Sequence, residues 1–132
     1  MWFGQEASLL AYVAATSRLP TWIAIEHDEI KGFLTLQQHS PQSFEIHCIA
    51  IHAGARTCGI GRTLLAHCES WIAAAGGNFL QVKTIATTAP SPEYQQTRAF
   101  YERMGFVALE VFPTLWSPKH PCLQLIKYLS AA

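Results

Sequence analysis

Apolar residues recur along this chain with two different periods, and the switches between them mark out its elements. Over residues 5–15, Leu9, Leu10, Val13 and Ala14 stand at helical spacing, and Arg18-Leu19-Pro20 ends that helix because proline has no backbone N–H to give. Residues 22–26 and 30–37 alternate as strands around the polar turn His27-Asp28-Glu29, which predicts a hairpin. His39-Ser40-Pro41-Gln42 breaks the pattern, residues 43–51 form a third strand, and 52–58 are a polar loop. A helix follows over about 59–75, with Ile60, Leu64, Cys68, Trp71, Ile72 and Ala75 along one side, and Gly76-Gly77 ends it. Residues 79–84 make a fourth strand and 85–92 a loop. A second long helix spans 93–104, with Thr97, Phe100, Tyr101 and Met104 on one stripe and Gly105 as its C-cap. Two last strands, 107–111 and 123–128, are separated by a loop that holds Pro113, Trp116, Pro118 and Pro121. The order αβββαβαββ predicts the mixed α/β class, with helices packed on a sheet.

A length of 132 residues suits one domain with one core, and nothing repetitive or linker-like divides it. Half of the residues are hydrophobic and only 14% are charged, a balance that supports a buried core and argues against disorder. Nine Lys+Arg offset nine Asp+Glu, so no net field indicates nucleic acid or anionic lipid as a partner. Cys48, Cys58, Cys68 and Cys122 make no CxxC pair, and the expectation is buried thiols in a reducing cytoplasm. The start of the chain carries Glu6 and lacks a positive leader region, and no tract approaches the roughly 20 apolar residues of a membrane span. His52, Cys58, His67, Cys68, His120 and Cys122 lack metal-ligand spacing, so no metal is expected. Asp28, the only Asp, sits in a turn, which leaves no Ser-His-Asp arrangement.

The stretch from Ile49 to Leu65 concentrates the chemistry, because it reads as a buried strand, a glycine-bearing turn and a helix. That order aims free backbone N–H groups and the positive end of a helix dipole at an anion such as a pyrophosphate. Gly59 and Gly61 clear its approach, and Arg56 and Arg62 add positive charge. Arg62-Thr63 lacks the lysine of a P-loop, and Leu64 stands where a GxGxxG fingerprint needs a small residue.

Arg56-Thr57-Cys58-Gly59-Ile60-Gly61 instead resembles the signature [RQ]-x-x-G-x-[GA] of the GNAT superfamily of acyl-CoA-dependent N-acyltransferases. Phe100-Tyr101-Glu102-Arg103-Met104-Gly105-Phe106 resembles its second signature, [LF]-Y-x-x-x-G-F, at the expected distance downstream. The likeness runs over residues 19–128, and the ending 116–127 resembles a bacterial subgroup of the family. It implies a central, mostly antiparallel sheet flanked by helices, with acetyl-CoA as cosubstrate and a small-molecule or peptide amine as acceptor. By the same resemblance, the amides of Thr57, Cys58, Gly59, Ile60, Gly61 and Arg62, with Thr63 beside them, hold the pyrophosphate. The strand residues Cys48, Ile49, Ala50 and Ile51 pair with the pantetheine arm, and an amide near Ile49 stabilises the oxyanion. Tyr94 and Phe100 complete the cofactor side, Tyr94 standing where many members carry Asn. One N-terminal helix replaces the usual strand and two helices, which implies an acceptor side that is more open or completed by a second subunit. The apolar strand 123–128 is a candidate surface for such pairing.

Acyl transfer to an amine needs a base, since an amine with a pKa of about 10.4 is neutral in only about one molecule in 2,500 at pH 7. Glu45 and His47 lie two apart on a strand and so should share a face. Glu45 is favoured by position and His47 by the ordinary pKa of histidine, and both stay open. The plainer readings are a solvated strand-end carboxylate for Glu45 and a half-buried core histidine for His47. By resemblance, Tyr101 is the acid that protonates the departing sulfur. Trp116 either lines an acceptor pocket or fills the base of the sheet. The alternative to an enzyme is a non-catalytic acyl-CoA sensor or partner module, which would need the glycine turn but neither acid nor base.

Overall fold

The computed structural model describes residues 19–55, 59–86, 92–117 and 120–129. The predicted helix over 5–15 lies outside these. Strand β1 (Thr21–Glu26) turns into β2 (Glu29–Gln38) through His27 and Asp28, whose φ values of 53° and 62° are both left-handed. Two such residues give the tight turn whose twist matches a hairpin. Strand β3 (Ser43–Ile51) leads through a short 3-10 turn (Ala53–Ala55) to helix α1 (Ile60–Ala74) and strand β4 (Phe79–Ile85). Helix α2 (Pro92–Arg103), then β5 (Val107–Ser117) and β6 (His120–Tyr128), complete the chain.

The six strands lie in the order β1-β2-β3-β4-β6-β5, and β3 with β4 is the one parallel neighbour pair. Phe44 and Ile46 of β3, Leu80 and Val82 of β4 and Leu125 of β6 share a face by register. They form one buried cluster with Leu64, Leu65, Cys68 and Ile72 of α1 and Tyr101 of α2, so both helices cover that face. Trp71 packs edge-on against Trp22 and Phe44, and Lys127 of β6 meets Glu69 of α1 at 2.8 Å.

Two expectations change here. Residues 112–122, expected as a loop, are largely strand, because β5 lies at the edge of the sheet where a proline such as Pro113 costs little. A slip in register between Phe112↔Cys122 and Ser117↔His120 absorbs the mismatch, and Trp116, 46% exposed, does not fill the base of the sheet. Strand β6 lies inside the sheet, so residues 123–128 offer no free edge for pairing two copies.

Gly77 follows α1 where the chain passes close beneath the sheet. A Cβ there would lie 2.4 Å from Cγ2 of Ile72 and 2.6 Å from Cε1 of Phe44. Both side chains are buried, so neither can swing away. Gly77→Ala is therefore expected to lower the unfolding free energy by about 1–3 kcal/mol, measured by urea denaturation. An unchanged midpoint would contradict this packing.

Candidate active site

The site begins where two parallel strands stop pairing. β3 and β4 are in register from Ser43↔Phe79 to Ile46↔Val82 and no further, although both strands continue. Beyond that point β3 stays paired with β2 as far as Gly32↔Ile51, and β4 stays paired with β6 as far as Ile85↔Cys122. The inner edges of residues 47–51 and 83–85 thus face each other across a gap, with no described strand between them. Backbone donors and acceptors on such edges need a partner, and an extended amide-bearing arm can supply one.

A bulge helps to open the gap. Thr35 pairs with Cys48 but Leu36 pairs with Ile46, which leaves His47 as the extra residue. Leu34 and Leu36 share a face, so their partners Ile49 and Ile46 share it too, and both isoleucines join the core. Cys48 then turns to the opposite face, beside Thr35. His47 stands at the bulge itself, where strict alternation no longer assigns a face.

Helix α1 begins near the open end of the gap. Its N-cap is Gly59, at φ 76°, and among the described residues no side chain caps the first turn. The first amides of a helix have no intrahelical acceptor, so those of Ile60, Gly61 and Arg62 remain available to an anion. Gly59 has open space around it, whereas a Cβ on Gly61 would meet the Phe100 ring at 3.0 Å. The first glycine thus suits its left-handed backbone conformation, and the second lies where the Phe100 ring comes close to α1. Arg62 is exposed, and the Thr63 hydroxyl donates to the Gly59 carbonyl at 3.1 Å. Arg56, Thr57 and Cys58 lie outside the described residues, as does the side chain of Tyr94 within α2.

The face of the sheet opposite α1 and α2 carries a polar cluster. Glu45, the candidate base whose plainer reading is a solvated carboxylate, is only 8% exposed and accepts from Lys83 Nζ at 2.7 Å. Its other oxygen meets His39 Nε2 at 2.6 Å. Beside this group, Gln81 bonds Ser43 at 2.7 Å and Gln124 bonds Gln81. Tyr101 is 1% exposed, with its ring edge-on to Phe100 and Phe106. Arg98, one turn before Tyr101, is 6% exposed and donates to the Ile85 carbonyl at 3.0 Å.

Three residues near the gap, His39, Lys83 and Arg98, escaped the sequence reading. Polar Gln81 and Lys83 at period two in β4 were the visible signal for a second, polar face. His39 resembled a turn residue, and Arg98 resembled a solvated helix position. Among the described residues, no group of three His, Cys, Asp or Glu could hold a metal ion, and no helix is long and apolar enough to cross a membrane.

A family model described as an acetyltransferase (GNAT) domain matches residues 17–108. No curated protein matches the chain. Among solved structures, a GNAT-family acetyltransferase structure from Desulfovibrio desulfuricans superposes with a TM-score of 0.82 at 21% identity, covering 98% of this chain and 84% of that one. An aminoglycoside 6′-N-acetyltransferase complexed with coenzyme A gives 0.76 at 19% identity, over 98% and 83%. The ribosomal-protein-S18-alanine N-acetyltransferase of Escherichia coli gives 0.72 at 20%, over 92% and 77%. At these identities the structures establish a shared fold.

Burial pushes the thiols of Cys48, in the bulged strand, and Cys68, in α1, up to about 12. In the unfolded chain such thiols ionise near 9.0. The folded state therefore holds protons that the unfolded state releases, and the resulting stability, complete below about pH 9, is lost as pH rises toward about 12. Urea unfolding at about pH 10.5 should give a lower free energy than at about pH 8, and Cys48→Ala or Cys68→Ala should shrink that difference. An equal difference in wild type and variants would contradict the assignment.

Proposed function

The chain belongs to the GNAT acetyltransferase domain family, and from that membership we propose that it moves the acetyl group of acetyl-CoA onto a primary amine of a small molecule or peptide by direct attack in a ternary complex. The observation that carries this reading is the parting of β3 and β4 beyond Ile46↔Val82, with the uncapped start of α1 beside the opening. One relative by fold holds coenzyme A, and two are named for amine acceptors, an aminoglycoside and an alanine of a ribosomal protein.

Each part of the cosubstrate has a counterpart of matching chemistry. The amides from Gly59 to Arg62 suit the pyrophosphate, with Arg62 adding charge and Arg56, Thr57, Cys58 and Thr63 adjoining them in sequence. The inner edge of Cys48, Ile49, Ala50 and Ile51 suits the amides of the pantetheine arm. An N–H near Ile49 would meet the carbonyl oxygen as it gains negative charge, which is often the largest contribution to such catalysis. Phe100, against Gly61, suits the side of the arm that faces α2, and Tyr94 is kept on the cofactor side by the family resemblance alone.

The amine must lose a proton, and Glu45 is the base favoured here. Each of its oxygens already takes one hydrogen bond, from Lys83 and from His39, and keeps a second lone pair for an amine or a bridging water. His39, with 39% of its side chain exposed, gives that proton a way out to solvent. His47, at the bulge itself, is the competing base. Tyr101 is the acid for the sulfur.

Thermal unfolding tests the cosubstrate. Acetyl-CoA at a hundredfold excess over its dissociation constant should stabilise the fold by about 2.7 kcal/mol, whereas NAD and ATP should not. No shift with any CoA ester would overturn the reading. Tyr101→Phe should keep acetyl-CoA binding and lower turnover by about 10²-fold or more, and unchanged turnover would remove Tyr101 from the mechanism.

A further inference from the structure

A buried guanidinium stands on the β4 wall of the gap, and the direction of one peptide locates it. Arg98 Nη1 donates to the carbonyl of Ile85. The next N–H in that same peptide unit, on Ala86, donates to Pro121 at 2.8 Å, on the β6 side. In a planar trans peptide the C=O points away from the N–H. The Ile85 carbonyl therefore points into the gap shared with β3, and the Arg98 guanidinium that bonds it lies at that gap. Continuing the register of Ile46↔Val82 across the opening, with His47 counted as the extra residue of β3, sets Ile85 level with Ala50, next to Ile49. Arg98 thus faces the stretch of β3 whose amide is assigned to the thioester oxygen.

A neutral donor such as glutamine would satisfy a lone carbonyl equally well, and burying a fixed positive charge is costly. The charge calls for a negative partner at this place. We propose, resting on the acetyl-CoA reading above, that Arg98 is a further catalytic residue whose guanidinium stabilises the negative charge that collects on the CoA sulfur as the thioester breaks. In that step the amine nitrogen bonds to the acetyl carbon and the C–S bond breaks with its electron pair left on sulfur. The proton lost by the amine passes to the base. With the carbonyl oxygen held from the β3 wall, the sulfur is directed to the β4 wall. Arg98 and Tyr101 are three apart on α2 and so lie on one side of it, charge and proton donor together.

The test compares CoA with desulfo-CoA, which lacks the sulfur, by calorimetric titration of wild type, Arg98→Gln and Arg98→Lys. Wild type should bind CoA about tenfold more tightly than desulfo-CoA. Arg98→Gln, which keeps a donor for Ile85, should lose that preference and lower kcat more than it raises KM for acetyl-CoA. Arg98→Lys, which keeps the charge, should retain part of both. If Arg98→Gln keeps the preference and kcat, the guanidinium is only a peg for β4 and the proposal fails. If Arg98→Gln does not fold, an Arg98→Lys variant that folds but shows no preference overturns it as well. If wild type binds neither compound, the acetyl-CoA reading itself has failed, which is a different result from equal binding of the two.

Discussion

Two neighbouring parallel strands that pair for only part of their length set the terms for everything else in this protein. β3 and β4 are held together from Ser43↔Phe79 to Ile46↔Val82 and then separate, while each keeps its other neighbour to the end. Separation exposes backbone groups that a sheet would otherwise satisfy, so the gap is an edge waiting for an extended, amide-bearing partner. The bulge at His47 bends β3 at that point, and it returns Ile49 to the core after Ile46 so that the strand is anchored on the helix face on both sides of the kink. Buried apolar contacts thus pay for the open edge.

The sheet divides its work between its faces. The helix face carries the core and fixes α1 and α2 close together, to the point that a Cβ on Gly61 would lie 3.0 Å from the Phe100 ring. That packing sets the first turn of α1 beside Phe100 of α2, the helix that also carries Arg98 and Tyr101. The other face carries Glu45, Lys83, His39, Gln81 and Gln124, a hydrogen-bonded set that suits proton handling and polar acceptors. The gap passes between the faces, so a thioester lying in it can be met by an acid from one side and a base from the other.

Much of this was legible in the chain. The spacing of Leu64, Cys68 and Ile72 marked the buried side of α1, the bounds of β3 came out as expected, and Gly105, at φ 96°, ends α2 as its position implied. The motif at Arg56 to Gly61 pointed to the right family. What was not legible depends on neighbours distant in sequence. A bulge exists only relative to the partner strand, so nothing local to His47 announced it. The buried Glu45 is bonded by Lys83 and His39, and neither is close enough in sequence to be paired with it by spacing. Pro113 signalled a break because proline usually does, but an edge strand tolerates it. Arg98 had the composition of an exposed helix residue, and only the direction of the Ile85 carbonyl shows what it faces.

The most direct measurement is amide hydrogen exchange with and without acetyl-CoA. If the thioester and its pantetheine arm complete the open edge, exchange should slow at residues 48–51 and in the first turn of α1, while β5 at the far edge of the sheet is unchanged. Protection confined to some other region, or none at saturating acetyl-CoA, would contradict the claim that the gap between β3 and β4 is the cosubstrate site.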